Sequence, residues 1–234
     1  MGVPAELGSL TTQHLPGVPV LVVPLGSIEQ HGPHLPLDTD IRIATAVAAE
    51  VVRQLGPGSL VAPPIPYGAA GEHQGFAGTI SIGTEVLGGL LTEYGRSACD
   101  WAAQVVFVNG HGGNLEALRT AVGLLRTEGR DVVWCPCTVE DADAHAGHTE
   151  TSVLLHLSPE HVRTADIRPG NDQPLDIILP HLRDGGIGAV SSTGVLGDPT
   201  TATAEHGERI FAAMVAGCLD RIRRWQPGPG GMLK

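Results

Sequence analysis

Apolar runs alternate along the chain with segments in which apolar residues recur at helical spacing. Val20–Leu25, Gln104–Asn109 and residues 131–137 have the apolar character of buried strands. Helical patterns over residues 41–55 and Leu115–Thr127 follow the first two of these strands. Strands that alternate with helices predict an α/β fold with a mainly parallel sheet.

The remaining segments are predicted as three more helices and several irregular stretches. We predict further helices over residues 84–99, 149–157 and 204–225. Residues 60–66 are predicted as a short extended piece, residues 168–199 as glycine- and proline-containing loops, and residues 226–234 as a frayed tail. A chain of 234 residues is long enough for one substantial core, so we expect a single domain over residues 1–234.

Charge and cysteine content narrow the possible partners. The formal net charge is −11 and lysine and arginine do not cluster, so nucleic acid and anionic membranes are excluded as expected partners, and a small or peptidic substrate fits better. The N-terminus has no basic region and no apolar run is long enough to cross a bilayer, which predicts a cytoplasmic protein. The four cysteines show no disulfide spacing and are predicted to be buried free thiols.

Polar clusters follow two of the predicted strands, where ligands bind at the carboxyl edge of a parallel sheet. Glu29 and His31 are two residues apart in an extended segment, so both side chains can point to the same side. Asp40 stands at the entrance to a helix, where it can cap the helix or bridge two ions. His111 lies between glycines at the second strand-to-helix turn.

Imidazole and carboxylate groups without thiolate favour zinc, manganese or iron. Two such ions about 3.5–4 Å apart activate a water molecule and polarise a scissile carbonyl, which predicts hydrolysis of an amide. Each residue alone has a more ordinary interpretation: Glu29 and His31 as loop residues, Asp40 as a helix cap and His111 as a turn residue. The co-occurrence of all four favours two divalent metal ions per chain.

Further histidines and carboxylates stand in other loops. His145, His148 and Glu150 form a polar cluster before a predicted helix, which a solvated acidic loop would also explain. Glu72 and His73 lie in a glycine-rich loop, and the sequence leaves open whether they contact a substrate or pack the loop. His34 lies in the same loop as Glu29 and is expected to support a metal ligand through a hydrogen bond.

Residues 24–40, reading PLGSIEQHGPHLPLDTD, resemble the signature of the creatininase family. Further matching segments are residues 73–79, 109–114, 145–152, 194–199 and 204–207. Because these segments are spread along the sequence, the resemblance extends over nearly the whole chain. The resemblance implies a three-layer α/β/α fold, a dinuclear metal centre, hydrolysis of a carbon–nitrogen bond and a homo-oligomer, commonly a hexamer.

The family's functional residues carry over to this sequence with one gap. The family's metal ligands match Glu29, His31, His111 and Asp40, of which Asp40 would bridge the two ions. The family histidine that passes a proton to the leaving nitrogen matches His145. Creatininase has a glutamate where this chain has Gly113. Glu150 is our candidate for the missing ligand and for a role in catalysis.

The loss at Gly113, and the absence of a tryptophan just before His145, argue against creatinine as substrate. The His-Gly-Gly-Asn turn instead resembles a branch of the family that removes a modified C-terminal Val-Tyr dipeptide from a small ribosomally made peptide. We therefore expect a metal-dependent peptidase with a small modified peptide as its partner. The alternatives are an amidohydrolase acting on a lactam or formamide, and a non-catalytic metal-binding scaffold of a biosynthetic complex.

Overall fold

A parallel sheet forms the centre of the computed structural model, which describes residues 5–15, 17 and 19–234. Its four strands in the described residues are β1 (Val20–Leu25), β2 (Ser59–Val61), β3 (Gln104–Asn109) and β4 (Val132–Pro136). Their order is β2-β1-β3-β4, and every neighbouring pair is parallel. The order reverses between β1 and β3, which is where a crevice opens in sheets of this kind.

Helices cover both faces of the sheet. They are α1 (Thr39–Leu55), α2 (Thr84–Ala98), α3 (Leu115–Thr127), α4 (His148–Leu157), α5 (Leu175–Gly185) and α6 (Ala204–Arg224). One buried apolar cluster joins the sheet to α1, α4 and α6, and a second joins it to α2 and α3. This arrangement confirms the expected three-layer α/β/α fold.

The strand residues alternate between the two clusters, as the pleat of a strand requires. Val22 and Val106 face α1, α4 and α6, whereas Leu21 and Val105 face α2 and α3. All four side chains are almost completely buried. Because both faces of each strand are covered, the strands read as continuous apolar runs rather than alternating ones.

Two predictions about irregular segments are wrong. Residues 168–199 are not loop throughout, because α5 lies within them despite the internal Pro180. The tail is not frayed: Leu233 is 1% exposed and its backbone N–H donates to the carbonyl of Trp134 in β4. The indole N–H of Trp134 in turn donates to the carbonyl of Gly230, so the tail is held against the sheet edge.

The cysteines follow the prediction, because all four are free thiols. Cys135, Cys137 and Cys218 are buried, and Cys99 is half-buried. In the part of the chain that the structure describes, none of the helices has the length and apolar character needed to cross a bilayer.

Candidate metal centre

Each of the four strands sends a loop into one buried cluster at the carboxyl edge of the sheet. The loop after β1 carries Glu29 and His31 and leads to Asp40 in the first turn of α1. The clusters of possible metal ligands draw on residues from all four loops: Glu29, His31, Asp40, His73, His111, His145 and Glu150. The parallel topology thus brings together side chains that are far apart in sequence.

Asp40 lies between two histidines. Its Oδ1 is 3.0 Å from Nε2 of His31, and its Oδ2 is 3.4 Å from Nδ1 of His111. Asp40 does not cap α1, since the helix begins at Thr39 and Asp40 stands in the first turn. The Nδ1 of His31 lies 3.1 Å from the carbonyl of Glu29, to which it can donate, leaving Nε2 directed at Asp40.

Glu29 occupies the middle of the cluster. Its Oε2 is 3.1 Å from Nδ1 of His111, and its Oε1 is 3.2 Å from Nε2 of His73 and 3.8 Å from Nδ1 of His145. The side chain is completely buried. A carboxylate that faces three imidazoles from a buried position is well placed to bind a cation.

The side chain of Asn114 holds the turn after β3 in place. Asn114 directly precedes α3, but its side chain makes no capping hydrogen bond. Its amide group instead donates to the carbonyl of Gly26 and to Oδ1 of Asn109, and its Oδ1 accepts from the N–H of Ala69. One buried amide therefore ties three of the converging loops together next to His111.

The loop after β4 supplies His145 and Glu150. Glu150 lies in the first turn of α4, where its Oε2 accepts a hydrogen bond from the N–H of Ala146 and lies 3.9 Å from Nε2 of His31. The Nε2 of His145 is 2.8 Å from the carbonyl of Gln30, to which it can donate, so its Nδ1 faces the cluster. Of the three sequence candidates in this segment, His145 and Glu150 lie in the cluster.

The sequence interpretation missed Gln30 and left His73 undecided. The side-chain amide of Gln30 donates to Nδ1 of His73 and to the carbonyl of Gly194. Gln30 is buried, and a Cβ on Gly194 would stand 1.8 Å from its Oε1. Its position within the signature between Glu29 and His31 was the available signal, but alternation would direct its side chain away from theirs.

His34 and His148 lie outside the cluster. The Nε2 of His34 is 2.8 Å from Oγ1 of Thr151, so its hydrogen bond goes to α4 beside Glu150 and not to a side chain of the cluster. His148 pairs with His206 and Thr201 at distances of 3.0 Å and 2.9 Å.

Unsatisfied oxygens indicate that the cluster fits a cation. Both carboxylate oxygens of Glu29 and Oδ2 of Asp40 are buried without a hydrogen-bond partner. Such groups are costly unless something positive compensates them. The donor set of carboxylates and imidazoles, without a thiol, suits zinc, manganese or iron.

The pKa values show how strongly the groups interact. Burial opposes protonation of His31 and His111, but nearby carboxylates overcome it and raise the pKa of His31 to about 10 and that of His111 to about 9. Burial raises the pKa of Glu150 to about 7. Burial and the neighbouring histidines lower the pKa of His73 to about 3 and hold that of His145 well below 6.5.

The fold and the cluster define an α/β protein with a carboxylate–imidazole centre at the carboxyl edge of its sheet. Comparison with known proteins identifies the family of this protein. The sequence profile described as "Creatininase: Creatinine amidohydrolase" matches residues 9–222. The chain belongs to the creatininase family.

Curated relatives and solved structures agree with this assignment. The "Mycofactocin precursor peptide peptidase" of Mycolicibacterium smegmatis is 62% identical, over 98% of this chain and 95% of that protein. The protein of the same name from Mycobacterium tuberculosis is 65% identical, over 97% of this chain and 94% of that protein. The structure titled "Creatininase Mn" has a TM-score of 0.78 and 28% identity, covering 96% of this chain and 99% of that one.

Proposed function

We propose that this chain is a metal-dependent peptidase that acts on a mycofactocin precursor peptide and releases its modified C-terminal Val-Tyr dipeptide. The observation that carries the proposal is the set of buried carboxylate oxygens without hydrogen-bond partners on Glu29 and Asp40, beside a large cavity. The names of the two relatives support the substrate. Zinc, iron or manganese, about two ions per chain, and a homo-oligomer such as a hexamer are part of the proposal.

The cavity suits the end of a peptide. It has a volume of about 790 Å3, and one wall comes from α5 and its neighbours. Its apolar lining residues include Leu175, Leu179, Leu182, Ile187, Leu196 and Met214. A cavity of this size with an apolar wall can take the side chains of a Val-Tyr unit.

Arg183 gives this wall its positive charge. Among the described residues that line the cavity, it is the only arginine or lysine. The carboxylates of Asp40, Glu72, Asp143 and Glu150 also line the cavity and repel a substrate carboxylate. We infer that the C-terminal carboxylate of the peptide pairs with Arg183, which leaves the scissile amide over the metal centre.

Bound divalent ions lower the pKa of water and polarise a carbonyl oxygen. In this proposal Glu29, His31, Asp40, His111 and Glu150 hold the ions. His145 lines the cavity and keeps a neutral imidazole, because burial and three neighbouring histidines lower its pKa. Once protonated it is a strong acid, suited to give its proton to the leaving nitrogen.

The decisive experiment incubates the metal-loaded protein with the modified precursor peptide and detects free dipeptide by mass spectrometry. We expect release of the dipeptide, with kcat/KM at least about tenfold lower when the peptide ends in an amide, since Arg183 then loses its ionic partner. Creatinine and a formamidopyrimidine nucleotide serve as comparison substrates. Turnover of either one without peptide cleavage supports the small-molecule amidohydrolase instead, and tight metal binding without any turnover supports the scaffold.

A further inference from the structure

Gly113 leaves a gap in the cluster that a neighbouring loop fills. A Cβ added at Gly113 would stand 2.2 Å from the carbonyl oxygen of Ala69, 2.4 Å from Nε2 of His111 and 2.7 Å from Oε1 of Glu72. No side chain fits at position 113 while these groups keep their places. The space that a side chain at position 113 would need is taken by the Ala69 carbonyl and by Glu72, whose carboxylate lies at the Nε2 end of the His111 ring.

The two nitrogens of His111 face different surroundings. Nδ1 lies 3.1 Å from Oε2 of Glu29 and 3.4 Å from Oδ2 of Asp40, inside the metal cluster. Nε2 lies 3.2 Å from the carbonyl of Ala69 and 3.5 Å from Oε1 of Glu72. The second nitrogen therefore points at two acceptors that lie outside the cluster.

Glu72 differs from Glu150 in its place relative to the ligands. Glu150 groups with His31 and Asp40 as a possible metal site, whereas Glu72 belongs to none of the groups formed by the described residues. Its carboxylate is one third exposed and lies behind the His111 ring. It is thus placed to act on His111 rather than to bind an ion directly.

We propose that Glu72 is a positioning residue for His111: with the Ala69 carbonyl it accepts the Nε2 proton of the imidazole and directs the Nδ1 lone pair at the metal. Ligating histidines commonly donate their other N–H to a carboxylate, which fixes the tautomer and makes the ring a stronger ligand. The Ala69 carbonyl accepts the same proton but carries no charge, so Glu72 adds the ionic part of this support. This inference rests on the proposed metal centre.

The test is metal affinity, measured separately from catalysis. Wild-type protein, Glu72→Gln, Glu72→Asp and the control Glu85→Gln, an exposed glutamate in α2, are stripped and titrated with Mn2+ against a chelator. Loss of such a carboxylate partner costs about 10–100-fold in metal affinity. We expect Glu72→Gln to weaken the more affected ion by this factor, with two ions still bound at saturation, Glu72→Asp to recover part of it, and Glu85→Gln to match wild type.

Three outcomes overturn this role. Unchanged affinity in Glu72→Gln shows that the Ala69 carbonyl suffices. One ion per chain at saturation in Glu72→Gln, against two in wild type, shows that Glu72 is itself a ligand. Equal losses in the Gln and Asp variants, with a lower Tm of the metal-free proteins, show a packing role. Wild-type protein that binds no ion contradicts the proposed metal centre itself, so the two failures are distinguishable.

Discussion

Two groups of histidines in this molecule differ in what surrounds them. His31 and His111 are buried among carboxylates at the carboxyl edge of the sheet. His148 and His206 also lie close together, with 3.0 Å between Nε2 and Nδ1, but they lie toward the surface and Thr201 is the other hydrogen-bond partner of His148. What distinguishes the first group, and makes it the candidate metal centre, is buried carboxylate oxygens without hydrogen-bond partners.

Helix geometry separates two neighbours that the sequence suggested as one cluster. His148 and Glu150 stand two residues apart in the first turn of α4. Positions i and i+2 of a helix do not face each other, so the two side chains leave in different directions. Glu150 turns toward His31, while His148 turns toward α6.

We expect the largest difference in metal content and activity between substitution of Asp40, in the buried cluster, and substitution of His148, near the surface. The two oxygens of Asp40 face His31 and His111, so Asp40→Ala removes the proposed bridge and should lose both ions and the activity together. His148→Ala is the matched control and should keep about two ions per chain and wild-type turnover. Metal analysis after gel filtration measures both.

Asp40→Asn guards against misfolding of the alanine variant, because it keeps the shape of the side chain and removes only its charge. Circular dichroism of the metal-free proteins identifies a variant that has not folded. If a folded Asp40 variant retains two ions, Asp40 is not the bridge.

The next prediction distinguishes the proposed proton-donor role of His145 from the metal-binding role proposed for the residues around it. His145→Ala should keep both ions and slow turnover by about 10²–10⁴-fold, which is the usual contribution of a general acid or base. His145 also forms a possible ligand group with Glu29 and His31. Loss of an ion from His145→Ala would therefore show that it is a ligand and not the proton donor. Counting ions beside kcat distinguishes these roles, with His148→Ala again as the control.

Local sequence was sufficient for the parts of the fold that depend on regular patterns. Strands β1, β3 and β4 and the helices α1 to α4 and α6 were predicted to within one or two residues, because both faces of the sheet are covered and the apolar runs are continuous. The extended piece predicted over residues 60–66 is shorter in the structure, where β2 is Ser59–Val61. Helix α5 was missed because Pro180 and the surrounding glycines obscured its pattern. The tail was missed because its order comes from contacts with Trp134 rather than from its own composition.

The residues of the candidate site also differ in how far local sequence could identify them. Glu29, His31, Asp40 and His111 stand in dense motifs after strands, so the sequence could single them out. The position of Glu72 beside Gly113 depends on how two loops pack, and no local pattern shows it. The family resemblance showed that a carboxylate was missing at position 113 and suggested Glu150 as the replacement ligand. The structure groups Glu150 with His31 and Asp40, so this stays a prediction, and it places a second carboxylate, Glu72, beside Gly113.

The smallest expected effect concerns protons that metal binding displaces from the buried histidines. In the metal-free protein the pKa of His31 is about 10 and that of His111 about 9, so both imidazoles hold protons at neutral pH. An ion needs the neutral imidazole, so binding releases these protons and the apparent affinity falls as the pH falls. Glu150, whose pKa burial raises to about 7, adds a further displaced proton toward pH 6. Each displaced proton changes the affinity about tenfold per pH unit. Calorimetric titrations at pH 6, 7 and 8, in buffers of different ionisation enthalpy, count the protons; an affinity that does not change with pH would mean that the carboxylates leave both rings neutral.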